Sequence, residues 1–249
     1  MLFFKDFQSI PYRFGDEEYT TIFQNITAYA DLVDQVKDNI SFYEEVYINE
    51  GFRPDQMSIR FYDTPLYYWT FFLMNDELRK RGWPLDGDDL DVKIKHEYPH
   101  TTVTTKDSLT SIFKVGQSIT GSESGATGLI IHRNLDLGQL VIQKTNDIDF
   151  KINPNPEAIT STIQVAGGSQ IQTVTISSQS EEYNAAHHYT DESGKIVDID
   201  PAIGPGAQLT EVTNYEFYYE QNEALREIKI IRPEFIKDLV SSYKKSIRG

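Results

Sequence analysis

Residues 100 to 180 are rich in threonine, serine, glycine, isoleucine and valine and carry almost no helical periodicity, whereas the segments on either side do. Within this region "FKVGQSITGSESGATGLIIHRNLDLGQLVIQ" and "STIQVAGGSQIQTVTIS" alternate apolar with polar residues between glycine-bearing turns, the pattern of half-buried strands. "NPNPEA" at 153–158 reads as a rigid turn within it. A chain patterned this way cannot be one helical bundle. It calls for a small all-β module inserted in, or appended to, a unit that contains helices, and so for an α+β protein.

Upstream, Ile22, Ile26, Tyr29, Val33, Val36, Ile40 and Tyr43 recur at alternating spacings of four and three, with Asp31, Asp34, Gln35 and Asp38 between them. The spacing predicts an amphipathic N-terminal helix from Thr21, whose narrow seam packs either on its own core or on a neighbour. "MLFFKDFQSIPYRF" lacks a basic n-region, a continuous apolar run and a cleavage site, and reads as a short strand of the mature chain. "FYEEVYINEG" predicts a strand ending at Gly51. "RPDQMSIRFYD" predicts a helix opened by Pro54, and "TPLYYWTFFLMNDELRKRG" a second one with Thr64 as N-cap, Pro65 at the first position and Gly82 as stop. "WPLDGDDLDVKIKHEY" reads as a turn and a strand. Seven aromatics lie between Phe61 and Phe72, and in so small a unit most of them must face inward.

Downstream, "AHHYTDESGKIVDID" predicts a hairpin turning at Glu192-Ser193-Gly194, and "PAIGPG" a loop. "NYEFYYEQNEALR" reads as a helix, "EIKII" as a short strand, and "PEFIKDLVSSYKKSI" as a terminal helix with Phe235, Ile236, Leu239, Val240, Tyr243 and Ile247 on one face. Lys244, Lys245 and Arg248 fall where the helix dipole favours cations.

Composition narrows the function classes. A formal net charge of −15 repels phosphate backbones, and only that C-terminal trio forms a basic patch, so nucleic acid is not an expected partner. The chain contains no cysteine, which removes disulfides, thiolate metal sites and thiol nucleophiles. No apolar run approaches the ~20 residues that span a bilayer. "GSESGATG" at 121–128 lacks the Lys-Ser/Thr of a phosphate loop and precedes a strand-like "LIIH", so β-turns account for its glycines. Asp86, Asp88, Asp89, Asp91 and Glu97 approximate a calcium loop, but Asp91 stands where that loop needs glycine and Leu90 where it needs an oxygen ligand. They read as a solvated acidic turn. His187 and His188 on a strand would point to opposite faces, a poor start for a metal site even with Asp191 near. No Ser-His-Asp arrangement stands out, and no carboxylate sits in an apolar context that marks a raised pKa. The reading is therefore of a protein that is not an enzyme and uses no cofactor, metal or small-molecule substrate.

"VYINEGFRPDQMSIRFYDTPLYYWTFFLMNDELRKRGWPLDGDDLDVKI" resembles a LysM module, with a final strand expected over Gly87 to Val92. LysM modules commonly bind N-acetylglucosamine polymers through two strand-helix loops, here Phe52 to Asp55 and Asn75 to Trp83. A larger resemblance, carried by "TTIFQNITAY", "RPDQMSIRFYDTPLYYW", "MND", "GWPLD" and "QNEALREIKIIRPEFIKDLVSSYKKS", is to the baseplate wedge protein 53 family of T-even-like contractile-tailed phages. It covers roughly residues 1 to 100 and 181 to 249, while "VGQSITGSESGATG" resembles β-modules of assorted phage tail proteins.

The family resemblance implies a structural virion protein, assembled in the host cytoplasm into the tail baseplate, that joins adjacent wedges around the central hub. Expected partners are other wedge subunits and neighbouring wedges, with hub or sheath-proximal proteins as further candidates. The alternative is a LysM-type module that binds peptidoglycan or chitin oligomers in association with cell-wall degradation. The expected organisation is an N-terminal arm and helix at 1–41, a LysM-like β-α-α-β module at 42–99, a β-rich insertion at 100–182, and a hairpin with a C-terminal strand and helix at 183–249. On the structural reading the contact residues are Ile22, Ile26, Tyr29, Val33, Val36, Tyr67, Tyr68, Trp69, Trp83, Phe235, Leu239 and Tyr243. Aromatics supply large contact areas when buried between subunits.

Overall fold

The computed structural model describes residues 8–15, 19–24, 36–37 and 39–248, with backbone alone at 24, 247 and 248. Helices and several sheets are both present, so the chain is α+β. It divides into two compact units, one of residues 1–87 with 221–249 and one of residues 88–220. The expected boundaries at 99/100 and 182/183 follow changes of composition; packing instead assigns 88–99 and 183–220 to the same unit as the β-rich region. No helix among the described residues is long and apolar enough to cross a membrane.

The first unit begins with an antiparallel hairpin of β1 (Ser9–Tyr12) and β2 (Thr21–Gln24). The helix expected from Thr21 is thus a strand over its first residues. Thr20, Thr21, Ile22 and Phe23 are β-branched or aromatic and prefer a pleated backbone, and Ile22 matched the four-three spacing only by position. Residues 25–35 of that expected helix lie outside the described residues, while Val36 and Lys37 are helical.

The core of this unit forms around β3 (Tyr43–Tyr47), α1 (Pro54–Tyr62), α2 (Trp69–Met74), α3 (Asp76–Arg81), β13 (Glu227–Ile231) and α6 (Ile236–Arg248). Pro54 opens α1 as expected, and the Gln56 side chain accepts from Arg53 N–H at 3.0 Å, satisfying the N-cap donor. Asp63 then ends α1 in the left-handed region at φ 56°. The second predicted helix is broken into a 3-10 turn at Pro65–Tyr67, α2 and α3. Thr64 does cap the turn, its Oγ1 accepting from Leu66 N at 3.3 Å, and Gly82 ends α3 at φ 93°.

Asn75 explains the break between α2 and α3. Its side chain donates to Phe71 O and Lys229 O and accepts from Lys229 N, each at 2.8 Å, so one amide both caps α2 and pairs with β13 like a neighbouring strand. The strand that pairs with β3 is β13, antiparallel with Glu227 opposite Tyr47 and Ile231 opposite Tyr43.

The expected strand over Gly87 to Val92 is instead the start of α4 (Gly87–Glu97). Leu90 and Ile94, four residues apart, are buried, whereas Val92, which made the sequence look alternating, is 68 % exposed. Acidic Asp88 and Asp89 in the first turn, Lys95 and His96 in the last, and an Asp91–Lys95 ion pair at 2.8 Å all suit the helix dipole and spacing.

In the second unit β4 (Thr101–Thr105), β5 (Ser118–Gly121), β6 (Thr127–Asn134), β7 (Gln139–Lys144), β8 (Ala158–Val165) and β9 (Gly168–Glu181) close a barrel in the order β4-β7-β6-β5-β8-β9. Val103, Ile119, Ile130, Leu140, Ile142, Ile159 and Ile176 fill it from the strands, joined by Phe113 from the connection between β4 and β5. Gly128 is required where β6 crosses β7, since a Cβ there would lie 2.3 Å from Ile142 Cγ2. A three-stranded sheet follows, with β10 (Ala186–Thr190) between β11 (Ile196–Val197) and β12 (Thr210–Thr213), and α5 (Asn214–Ala224) leads away from β12. The β10–β11 turn is the one expected. Asp191 Oδ1 accepts from Ser193 N, Ser193 Oγ and Lys195 N, and Gly194 adopts φ 79°.

Candidate protein-contact surface

"SIPYRF" alternates apolar residues with a period of two, and pairing with β2 sets Ile10 opposite Phe23 and Tyr12 opposite Thr21. One face of the hairpin thereby gathers Tyr12, Phe14 and Phe23, whose rings contact one another edge to face at 5.0, 5.6 and 6.3 Å. These side chains are not covered. Tyr12 is 52 %, Phe14 49 % and Phe23 42 % exposed, and Ile22, from the opposite face, is 73 % exposed. A two-stranded hairpin is marginally stable in water by itself, and clustered apolar exposure of this kind marks a surface used for contact. Pro11 withholds a backbone donor in β1, which suits an edge strand. The period-two run Ile10, Tyr12, Phe14 ahead of Gly15 was the signal for this face, and assigning Ile22 to a helix hid it.

The other expected contact residues are mostly core. Val36, Trp69 and Tyr243 are buried, with Trp69 and Tyr243 rings 5.6 Å apart. Together with Leu239 they line a small apolar cavity of about 30 Å³ in the first unit. Tyr67, Tyr68, Trp83, Phe235 and Leu239 are half-buried against the same core, Phe235 meeting Phe42 edge to face at 5.4 Å. Ile26, Tyr29 and Val33 lie outside the described residues. The aromatic run from Phe61 to Phe72 therefore serves mainly to fill the first unit: Tyr62 is buried with its hydroxyl donating to Ile231 O at 2.8 Å, and Phe71 is fully buried.

The loops that a LysM-type glycan site would use are tied to each other. Trp83 Nε1 donates to Phe52 O at 2.7 Å, and Glu50 Oε1 accepts from Gly87 N at 2.9 Å.

The glycine-rich segment 121–128 carries the β5–β6 turn, and the N–H groups of Gly121, Ser122, Glu123 and Ser124 already donate within the protein. The buried Glu157 carboxylate accepts from Glu123 N at 2.7 Å, Ser124 N at 2.9 Å, Ser124 Oγ at 2.6 Å and Lys151 N at 2.7 Å. Gly121 lets the carboxylate approach, since a Cβ there would be 2.7 Å from Glu157 Oε1. Burial acts to raise the Glu157 pKa, but the bonds from Ser124, Glu123 and Lys151 outweigh it and hold the group below its ordinary value.

His187 and His188 do not diverge as an undistorted strand requires. A register shift between Ala186 and His188 brings their Nδ1 atoms to 2.8 Å, and His187 stacks on Phe217 at 3.8 Å. Burial, and then the neighbouring His188, depress the His187 pKa. Because the folded value lies below the unfolded one, the stability of this region should be fully present above the unfolded pKa and decline as pH falls through it towards the folded value. The melting temperature should fall as pH drops below the ordinary histidine pKa of about 6.5, and His187→Phe, which keeps the stack, should flatten that slope. Among the described residues no cluster of three or more His, Asp or Glu side chains is arranged to hold a metal ion.

No protein-family model matches this chain, and no curated protein matches it.

Proposed function

We propose that this protein is a non-enzymatic structural subunit of a contractile phage tail baseplate, joining adjacent wedges around the central hub. The observation that carries this reading is the exposed aromatic face of Tyr12, Phe14 and Phe23, which has the chemistry of a protein contact. The sequence blocks resembling the wedge protein 53 family support it. They fall largely in the first unit, where the paired strands β3 and β13 bring the two ends of that resemblance together. On this reading the partners are other wedge subunits, the location is the virion baseplate, and the LysM-like β-α-α-β arrangement is a scaffold for protein contacts. The cell-wall alternative would require a glycan to lie between loops that Trp83 and Phe52 hold together at 2.7 Å.

Mixing the protein with purified baseplate wedges should produce a faster-sedimenting complex, while peptidoglycan and chitin should fail to retain it in a pull-down. Retention on the glycans without a shift on the wedges would replace this reading with the cell-wall one.

A further inference from the structure

We propose that a groove in the second unit binds a neutral oligosaccharide, a role separate from the wedge contact above. One wall is the end of β4 with the Ser177–Ser180 stretch of β9; the other is Tyr189 of β10, Glu211 of β12 and the loop through Pro201 and Gly204. The groove encloses about 360 Å³, within the range of about 300–1,000 Å³ typical of small-molecule sites.

Its walls are fixed in place. At Gly138, with φ 63°, a Cβ would lie 2.4 Å from Thr105 O and 2.9 Å from Pro201 Cβ, so the loop packs directly on the barrel. Asp200 orders that loop, its carboxylate accepting from Ala202 N at 3.0 Å and its carbonyl from Gly204 N at 2.8 Å. Gln139 Nε2 donates to Ala186 O at 3.0 Å and anchors the start of β10. The groove is therefore formed before any ligand arrives, which lowers the ordering cost of binding.

The lining chemistry selects the ligand class. Thr104, Ser177 and Ser178 cluster their hydroxyls on the barrel wall. Lys106, Ser180 and Asn184 also line the groove, and their side chains have no hydrogen-bond or ionic partner among the described residues. Tyr189 supplies the aromatic surface, its hydroxyl meeting Glu211 at 3.3 Å. An anionic ligand would meet Glu211 with only Lys106 to offset it, and a purely apolar ligand would strand the hydroxyls and amide without partners. A saccharide offers hydroxyls to the Ser, Asn and Lys groups and C–H surface to the tyrosine. Lys106 and Asn184 are exposed and Ser180 half-buried, so a saccharide exchanges their bonds to water for bonds to its own hydroxyls.

Ligand-observed NMR with maltotriose, cellotriose and laminaritriose on the full chain tests this. At least one should give saturation transfer, and the double variant Ser180→Ala, Asn184→Ala should weaken that binding by about tenfold or more, the loss of one to two good hydrogen bonds. These two side chains support no other group among the described residues, so the variant should melt with the wild type. Silence from all three saccharides at millimolar concentration overturns the proposal. So does binding that the double variant leaves intact, which would locate the sugar elsewhere, such as the Phe52 and Trp83 loops.

Discussion

Replacing Glu157 with alanine should destabilise the barrel unit by about 3–5 kcal/mol, the scale of breaking a buried charged network rather than a surface contact. The side chain is 1 % exposed, and its two oxygens serve three backbone N–H groups and the Ser124 hydroxyl. Alanine leaves those part-buried donors without their acceptor. Glutamine keeps one carbonyl oxygen but turns an NH2 towards donors, so Glu157→Gln should also fail to restore the wild type. Amide exchange at Glu123, Ser124 and Lys151 should accelerate in both variants, locating the damage, and denaturant unfolding followed in the barrel gives its size. The pKa adds a second signature. Because the folded value is depressed, this contribution is present above the unfolded carboxylate pKa and is lost as pH falls through the folded one. The wild-type barrel should therefore lose stability below about pH 4, the ordinary glutamate range, and the alanine variant should show less of that acid loss. Unchanged exchange at the three amides would remove Glu157 from its place as the internal acceptor of the β5–β6 turn.

The features that could be read from sequence are those set by neighbours in the chain. Pro54, Pro65, Thr64 and Gly82 mark helix starts and stops because their effects are local, and all four act where expected. "EIKII" was legible as a strand for the same reason. Its partner was not, because β13 pairs with β3 across the whole of the second unit, and no local pattern encodes that register. The α4 error has a different cause: Leu90, Val92 and Ile94 satisfy a period of two and a period of four at once, and burial of Leu90 and Ile94 alone decides between them.

The candidate site follows the same division. Tyr67, Trp69 and Tyr243 were expected at a partner contact, but the first unit itself covers them, so aromatic density located its core. The uncovered aromatics that touch one another, Tyr12, Phe14 and Phe23, are in the hairpin, whereas Tyr47, Phe52 and Tyr219 are exposed elsewhere. Glu157 was invisible in the sequence: in "NPNPEA" it reads as a turn carboxylate, and only the fold delivers Ser124 and Lys151 to it. The histidine pair needed a bulge, which strand alternation cannot anticipate.

Substituting Tyr12, Phe14 and Phe23 together by serine should weaken association with wedges by about a hundredfold or more, roughly 3 kcal/mol, as expected when a central aromatic cluster is removed from an interface. Each aromatic can bury about 150–250 Å² on contact, and here that area is available because the rings touch each other and lie outside the buried core. For the same reason the triple variant should leave the melting of both units unchanged, which separates loss of contact from loss of fold. Ile22→Ser probes the opposite face of the ribbon. A strong effect there as well would mean that the partner encloses the hairpin, and a weak one that it covers the aromatic face alone. Amide exchange on β1 and β2 supplies the physical readout: these backbone groups should be poorly protected in the free protein, as an isolated hairpin is, and slow markedly in the complex. Wedge binding at wild-type strength by the triple variant would take the hairpin out of the interface and return the search to the half-buried Tyr67, Tyr68, Trp83 and Phe235.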